Sequence, residues 1–334
     1  MPKPLDIAVV QTAPIPLAVA DGIKKAVRDA ERAIRDGAQV IAFGETVLGG
    51  YPMWLDEAPG AALWGHPGTV ALHRILLAEA VHEADARLAP LQNLADKHDV
   101  IICIGAHFRL RSSLYNAQLT FRKKQPPLVR RKLVPTHGER LIWMRGDGST
   151  LEVHQAGWGR LSTLMCWEHW MPMTRAALHA QGPDVHVSAW PTVRDAYLVA
   201  SRHYAFEGSC FVLAAGTVQH RDDILDGLAR VGGDDEAEAL IRDMPDAQLQ
   251  RGGSAIIAPD ATIIRGPADP VETILMADID LDRRAEALTA LDSDGHYSRP
   301  DIFDLRVNTR PMPGVTFSAE EMDLAHETRG EFDV

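Results

Sequence analysis

The chain has 334 residues, which is enough for one large domain or two ordinary ones. Hydrophobic residues make up 46% of it and charged residues 24%, as in globular proteins with a sizeable core. The formal net charge of -12 argues against a nucleic-acid partner, because phosphate binding favours a basic surface. No run of about 18 apolar residues predicts a membrane span, and no signal peptide is indicated. We therefore expect a cytoplasmic protein without a membrane partner.

Short apolar runs alternate with helical patterns through the first half of the chain. The predicted strands of this half lie, in chain order, at 6–11, 40–43, 100–105, 114–121 and 128–135. The predicted helices lie at 21–38, with Gly37 as the stop, and at about 70–98, with a break at Pro90. A loop rich in Gly, Pro and Trp at 46–68 precedes the second helix.

The second half repeats this alternation. Its predicted strands lie at 160–165, 185–190, 210–216, 253–259 and 273–280. Helices are predicted at 173–182 and 194–209, and an acidic helical insertion at 222–248. The chain shows no flexible linker and no short-period repeat, so the pattern predicts one α/β domain.

Three ionisable residues share one position, just past a predicted apolar run. Glu45 follows VIAFG, Lys132 lies late in LVRRKLVP, and Cys166 follows LSTLM. In open α/β folds the carboxyl ends of strands line the ligand crevice, so these residues are expected to meet in one pocket. Taken singly, each also has an ordinary interpretation, as a loop acid, a solvated lysine of a basic hairpin and a small buried thiol.

The three cysteines of the chain differ in their surroundings. Cys103 and Cys210 lie in apolar strands, where a thiol usually acts as a small hydrophobe. Polar and aromatic residues follow Cys166 directly, which favours a reactive role. Cys166 and His169 have the spacing of a metal-binding pair, but no second pair accompanies them, so a zinc site is not indicated. A Cys–His protease is not indicated either, because none of the 14 histidines is marked as its base.

Six segments of the sequence resemble the nitrilase branch of the carbon–nitrogen hydrolase superfamily. They are FGETVLGGYP (43–52), RRKLVPTHGERLIW (130–143), RGDGSTLEVH (145–154), LMCWEHWMP (164–172), GGSAIIAPD (252–260) and DGHYSRPDIF (294–303). The resemblance implies an α/β fold of four layers, an α-β-β-α sandwich. Because it covers about residues 5–310, we place the hydrolase domain at 1–310 and a C-terminal tail at 311–334.

The family carries a Glu–Lys–Cys triad in this order, so the resemblance implies that Glu45, Lys132 and Cys166 are catalytic. It also implies that Glu139, seven residues after the lysine, orients the lysine and water. Glu45 is then the general base, Lys132 stabilises the developing negative charge, and Cys166 is the nucleophile. A free thiol titrates near 8.5, so we expect Lys132 to favour the Cys166 thiolate.

The activity that the resemblance implies is hydrolysis of a nitrile to a carboxylic acid and ammonia. The substrates are a small-molecule nitrile and water, the intermediates are a cysteine thioimidate and a thioester, and no metal or organic cofactor is required. An amidase or carbamoylase of the same superfamily would use the same triad, and an inactive scaffold member is a more distant alternative.

Aromatic residues near the motifs are the candidates for substrate contacts. We predict that Trp167, Trp190 and Tyr51 bind the substrate, Trp167 because it adjoins the nucleophile. Tryptophans near the other motifs favour an aromatic or bulky substrate. The resemblance also implies a homo-oligomer, in which dimers build larger spiral assemblies, with the tail as a candidate contact.

Overall fold

A computed structural model describes residues 4–312 and shows alternating helices and strands. The strands, in chain order, are β1 (Leu5–Gln11), β2 (Val40–Phe43), β3 (Val81–His82), β4 (Ile101–Leu110), β5 (Ser113–Arg122), β6 (Gln125–Arg131), β7 (His154–Ala156), β8 (Gly159–Met165), β9 (Val185–Ala189), β10 (Phe211–Ala215), β11 (Val218–His220), β12 (Gln248–Arg251), β13 (Ala255–Ile257), β14 (Ile263–Arg265) and β15 (Thr273–Ile279). The α-helices are α1 (Val19–Arg35), α2 (Trp54–Glu57), α3 (Pro67–Glu79), α4 (Ala89–His98), α5 (Pro172–His179), α6 (Asp195–Glu207), α7 (Arg221–Arg230), α8 (Asp235–Arg242) and α9 (Arg283–Leu288). No helix in this range is long and apolar enough to span a bilayer.

Two mixed β-sheets form the centre of the molecule. The first has the strand order β15-β1-β2-β4-β5-β6, with β3 paired to β4, and the second has the order β14-β13-β10-β9-β8-β7. In each sheet the central strands are parallel, namely β1, β2 and β4 in one and β8, β9 and β10 in the other. Their carboxyl ends therefore point in a common direction within each sheet, which is where functional side chains usually collect.

Alternating side chains on the central strands pack against two different layers. On β2, Val40 and Ala42 join a core between the two sheets, whereas Ile41 and Phe43 pack under helices α1 and α4. On β10 the residues of one parity face the same inter-sheet core, and those of the other parity pack under α5 and α6. Apolar residues on both faces are typical of strands covered on both sides. The predicted α-β-β-α sandwich is confirmed.

Helix α1 follows from its sequence in a simple way. Its buried residues include Ile23, Ala26, Ala30 and Ala33, which are three or four positions apart and form one apolar face. The helix ends where Gly37 adopts a φ of +102°, a conformation that costs glycine little. The predicted stop at Gly37 is confirmed.

The prediction of one helical stretch at 70–98, broken at Pro90, is wrong. The chain instead leaves α3 after Glu79, adds the short strand β3 to the edge of the first sheet, and begins α4 at Ala89. Pro90 lies in the first turn of α4, where its missing N–H leaves no helical hydrogen bond unmade. The acidic insertion is helical, as predicted, and the buried residues of α7 and α8 pack against α3.

Residues 296–312, which include the first two residues of the predicted tail, have no helix or strand and are largely exposed. The remainder of the predicted tail, 313–334, lies outside the described residues. The division into a domain at 1–310 and a tail at 311–334 therefore stays a prediction.

Gly105 allows strand β4 to lie directly against the loop that carries Glu45. Its N–H donates to the Gly44 carbonyl over 3.1 Å, and its own carbonyl accepts from Leu48 N–H over 3.0 Å. A Cβ at position 105 would lie 2.2 Å from the Thr46 nitrogen, which is backbone and cannot rotate away. Any larger residue must push the Glu45 loop off the sheet.

We predict that Gly105→Ala lowers the free energy of unfolding by about 3 kcal/mol, the upper range for overpacking a core. Gly157→Ala is the matched control, because a Cβ there meets no atom within 4 Å, and it should change stability by less than about 0.5 kcal/mol. Urea unfolding of both variants at one protein concentration measures the difference. Equal stability of the two variants would contradict the close packing of β4 against the loop.

Candidate active site

Cys166 begins the tight turn that follows strand β8. Its φ is +51°, in the left-handed region that residues other than glycine rarely adopt, and a 3₁₀ turn spans Cys166–Trp170. Strain of this kind persists only where surrounding contacts hold it, and it is concentrated at functional sites. The Cys166 side chain is 3% exposed.

Glu168 ties the cysteine turn to the segment that follows β6. Its carboxylate accepts hydrogen bonds from Met165 N–H over 2.8 Å and from Leu133 N–H over 2.7 Å. Arg130 donates to both carboxylate oxygens, over 2.8 and 2.7 Å. Although burial opposes ionisation, Arg130 and the two backbone N–H groups hold the pKa of Glu168 below its ordinary value. The turn that begins at Cys166 and the lysine segment are thus fixed to one buried ion pair.

Lys132 lies immediately after β6 with its side chain fully buried. Its ammonium donates to Glu45 Oε1 over 2.8 Å and to the two Glu139 oxygens over 2.9 and 2.7 Å. Glu139 is held in turn by Thr136 N–H at 2.8 Å, in a capping box at the start of the 3₁₀ turn His137–Leu141. One carboxylate oxygen from each glutamate and Cys166 Sγ lie within 4.8 Å of one another. The four residues implied by the family resemblance therefore lie in one cluster.

Glu45 has one occupied and one free carboxylate oxygen. Oε1 accepts from Lys132 and from the side-chain amide of Asn116, whereas Oε2 is buried without a partner among the described residues. A buried carboxylate oxygen with no donor is unusual. Oε2 is thus available to accept a proton from a reacting group.

The electrostatics of the cluster follow from its burial. Burial raises the pKa of the Cys166 thiol well above its ordinary value, and Lys132 only partly opposes this. Burial also raises the pKa of Glu45 to about 7, against the effect of Lys132. For Lys132, burial opposes the charge, but Cys166, Glu45 and Glu139 raise its pKa well above the usual range. Lys132 acts on the Cys166 thiol in the expected direction, toward the thiolate, but burial outweighs it, so the resting site holds a neutral thiol beside an ammonium.

A cavity of about 230 Å³ contacts Cys166 and Glu139. Its aromatic walls are Tyr51, Trp167 and Tyr197. The Tyr51 hydroxyl donates to Glu139 Oε1 over 2.8 Å, and the Trp167 ring meets the Tyr197 ring edge to face. The structure therefore places two of the three predicted substrate contacts, Tyr51 and Trp167, on the cavity.

Trp190 does not line this cavity, contrary to the prediction that it contacts the substrate. Its fully buried indole stacks between His169 and Tyr197, at ring-centre distances of 4.9 and 4.8 Å. Its indole N–H donates to Ser188 Oγ over 2.8 Å, and its carbonyl accepts from Glu45 N–H over 3.0 Å. Trp190 thus supports the loop of the general-base candidate from behind the site.

The other tryptophans near the motifs give no support for a bulky aromatic substrate. Trp54 and Trp143 are buried in an apolar cluster, and Trp64 is fully exposed. Trp167 lines the cavity, whereas Trp54, Trp64 and Trp143 do not. Proximity to a motif in sequence did not predict proximity to the cavity.

Several residues at the site had no assigned role in the sequence. Asn116, which holds Glu45, lies inside strand β5, and an asparagine within an apolar strand is uncommon enough to be a signal. Tyr197 and Arg194, near the start of α6, and Gln250, on β12, line the cavity without any local motif. Their positions depend on how distant elements pack.

The cluster of Glu45, Glu139 and Cys166 has the donor atoms of a metal site. The Lys132 ammonium, however, lies within hydrogen-bond distance of both carboxylates and supplies the positive charge that a cation would bring. The donor set is therefore matched to an ammonium rather than to a metal ion.

Two solved structures share this architecture. A carbon–nitrogen hydrolase from Helicobacter pylori superposes with a TM-score of 0.66 at 17% identity, over 90% of this chain and 96% of the other. Nit3 from Saccharomyces cerevisiae, described as a member of the nitrilase superfamily, gives a TM-score of 0.64 at 15% identity, over 90% and 97%. At these identities the likeness establishes the fold.

Sequence comparison goes further. A family model described as carbon-nitrogen hydrolase matches residues 6–287. An aliphatic nitrilase from Sinorhizobium fredii is 35% identical over 320 residues, which cover 93% of this chain and 98% of the relative. Nitrilase 2 from Arabidopsis thaliana is 34% identical over 298 residues, covering 88% and 86%. The chain belongs to the carbon–nitrogen hydrolase family and is a hydrolase that acts on carbon–nitrogen bonds.

Proposed function

We propose that the protein is a nitrilase, which hydrolyses a small organic nitrile to the carboxylic acid and ammonia. The observation that carries this proposal is the buried cluster in which Lys132 bridges Glu45 and Glu139, with Cys166 Sγ beside the two carboxylates. The nitrilase names of relatives at 34 and 35% identity support the nitrile as substrate.

In the first step, the Cys166 thiol adds to the nitrile carbon. Because burial keeps the resting thiol neutral, its proton must leave as the C–S bond forms, and Glu45 Oε2 is the unoccupied base. The nitrile nitrogen gains negative charge and takes up the proton that Glu45 received, which gives a thioimidate and returns Glu45 to its carboxylate form. The Lys132 ammonium stabilises that developing charge, a role that a fixed, water-excluded cation performs well.

Water then adds to the thioimidate carbon, with Glu45 as the base that activates it. The tetrahedral intermediate expels ammonia and leaves a thioester on Cys166. A second water molecule attacks the thioester and releases the carboxylic acid and the free thiol. In total, one nitrile and two water molecules give one carboxylic acid and one ammonia. The protein groups that take part in these steps are side chains of the cluster.

A short aliphatic nitrile is the substrate class that we favour, because a relative at 35% identity is named an aliphatic nitrilase. The cavity's volume of about 230 Å³ suits a small substrate, since pockets begin to hold drug-sized ligands at roughly 300 Å³. The walls from Tyr51, Trp167 and Tyr197 offer apolar surface to a short carbon chain.

We predict that short aliphatic nitriles release ammonia at least about tenfold faster than arylacetonitriles and than the matching aliphatic amides. A lost contact or a clash that costs about 1.4 kcal/mol is enough for a tenfold ratio. Ammonia production across a panel of matched nitriles and amides measures the ratios. Faster turnover of the amides would identify an amidase instead, and faster turnover of the arylacetonitriles would contradict the aliphatic preference.

The nucleophile has a matched internal control. Cys166→Ala should lower turnover by at least about 10⁴-fold, because no other group can form the thioester. Cys103→Ala removes an equally buried thiol, whose pKa burial raises to about 12, and should keep more than half of the activity. Mass spectrometry of acid-quenched enzyme should find the covalent adduct on the Cys166 peptide; an adduct on Cys103 would reverse the assignment.

The pKa of Glu45 predicts an acid limb in the pH profile. As a general base Glu45 must be ionised, so kcat/KM should rise with pH through about 7 and be lost as the pH falls below it. Steady-state kinetics from pH 5 to 9 on the wild type measures the limb, which belongs to the coupled cluster. Glu45→Gln should be inactive at every pH in this range.

A second ionisable side chain on the cavity is the competing origin of such a limb. His137 lines the cavity with a φ of +40°, which asparagine tolerates, so His137→Asn is the control. The acid limb should persist in His137→Asn. Its disappearance there would assign the limb to His137 rather than Glu45.

We further propose that the protein acts as a homo-oligomer in the reducing cytoplasm. A reduced nucleophile and three free cysteines suit that compartment, which cell fractionation would test.

The exposed apolar side chains of Ile302, Phe303 and Leu305 favour burial against a second copy. Light scattering should give a mass above the 36.6 kDa monomer, reduced by truncation after Pro300, which removes these three side chains. A monomeric full-length chain would refute the oligomer.

A further inference from the structure

Three buried side chains form a row behind the backbone of Cys166. Ser162 Oγ lies 2.7 Å from His186 Nδ1, His186 Nε2 lies 3.0 Å from His169 Nε2, and His169 Nδ1 lies 2.8 Å from the Cys166 carbonyl oxygen. All three side chains belong to residues that are 0% exposed. Ser162 and His186 are register partners on the parallel strands β8 and β9, so the row starts on the sheet itself.

The direction of every hydrogen bond in this row follows from the bond to the Cys166 carbonyl. The Cys166 carbonyl can only accept, so His169 Nδ1 must carry a proton. A neutral imidazole has one N–H, so His169 Nε2 accepts and His186 Nε2 donates. His186 Nδ1 is then an acceptor, and Ser162 donates to it. Neutrality agrees with burial, which lowers the pKa of His169 to about 4 and that of His186 well below its ordinary value.

Aromatic contacts keep both rings from rotating out of the row. His169 stacks on Trp190 at an interplanar angle of 25°, and His186 stacks on Tyr204 at 20° with 3.8 Å between ring centres. At the end of the row lies the carbonyl of Cys166, the residue with the left-handed φ of +51°. Because the His169 Nδ1–H donates to the Cys166 carbonyl, this carbonyl resists the backbone rotation that would relieve the strain at Cys166.

We propose that Ser162, His186 and His169 are positioning residues that hold the strained backbone of Cys166 and thereby aim its thiol at Glu45 and the substrate. This role rests on the proposed function of Cys166 as the nucleophile. None of the three side chains lines the cavity, so they act through Cys166 and not on the substrate.

Substitutions of His186 separate this role from simple packing. His186→Leu removes both hydrogen bonds, and kcat per folded site should fall at least tenfold with KM changed less than twofold. His186→Gln keeps a donor for His169 at the Nε2 position and should recover most of kcat. His179→Leu is the matched control, because His179 is a buried histidine against the same Tyr204 ring but lies outside the row; it should lower stability and leave kcat nearly unchanged.

Two readouts do not depend on nitrile turnover, so failure of the proposed function can be told apart from failure of the positioning role. The rate of Cys166 alkylation by iodoacetamide should change at least severalfold in His186→Leu and return toward wild type in His186→Gln. Solid-state NMR of ring-¹⁵N histidine in the wild type should show His169 protonated at Nδ1 and His186 at Nε2, assigned by loss of each signal in a glutamine variant. An Nε2–H tautomer of His169, or wild-type kcat and alkylation in His186→Leu, would overturn the proposal.

Discussion

The carboxylates of Glu45 and Glu139 share the ammonium group of Lys132. All three residues are at most 2% exposed. A buried charge is costly unless it is paired and hydrogen-bonded, and without Lys132 the two carboxylates would face each other in a medium that cannot screen them. The lysine therefore allows both acids to be buried close to the thiol. The same ammonium is the positive charge available to a negative nitrogen or oxygen in the reaction, so structure and chemistry depend on one group.

The sandwich brings the parts of this cluster together from both sheets. Glu45 follows β2 and Lys132 follows β6 in the first sheet, whereas Cys166 follows β8 in the second. The ion pair of Arg130 with Glu168 joins the two sheets at this point, since Glu168 also binds the backbone on either side. A second support is the row of neutral hydrogen bonds behind Cys166. The backbone around Cys166 is thus held at two places, and burial raises the pKa of the Cys166 thiol.

Much of the site was predictable because strand ends are visible in the sequence as apolar runs that stop. Glu45, Lys132 and Cys166 each follow such a run, and the family resemblance added Glu139, which has no strand to mark it. Trp190 also follows a strand, β9, yet its indole turns toward Ser188 and Ser201 under α6. The direction of a side chain at a strand end depends on which helix covers it, and no local pattern records that. The break between α3 and α4 was misplaced for a similar reason, since β3 exists only because it pairs with the distant strand β4.

Replacement of the shared ammonium by a different cation tests the central claim most directly. Lys132→Arg keeps the charge but puts a planar fork where a compact ammonium meets two carboxylates, so kcat should fall by at least about 10²-fold while the protein stays folded. Arg131→Lys, the reciprocal change at the adjacent residue, whose guanidinium pairs with Asp147 away from the cluster, should keep most of the activity. Turnover of both variants, measured beside their circular dichroism spectra and thermal midpoints, gives the answer. A folded Lys132→Arg enzyme with near wild-type turnover would show that the site does not depend on a point charge between Glu45 and Glu139.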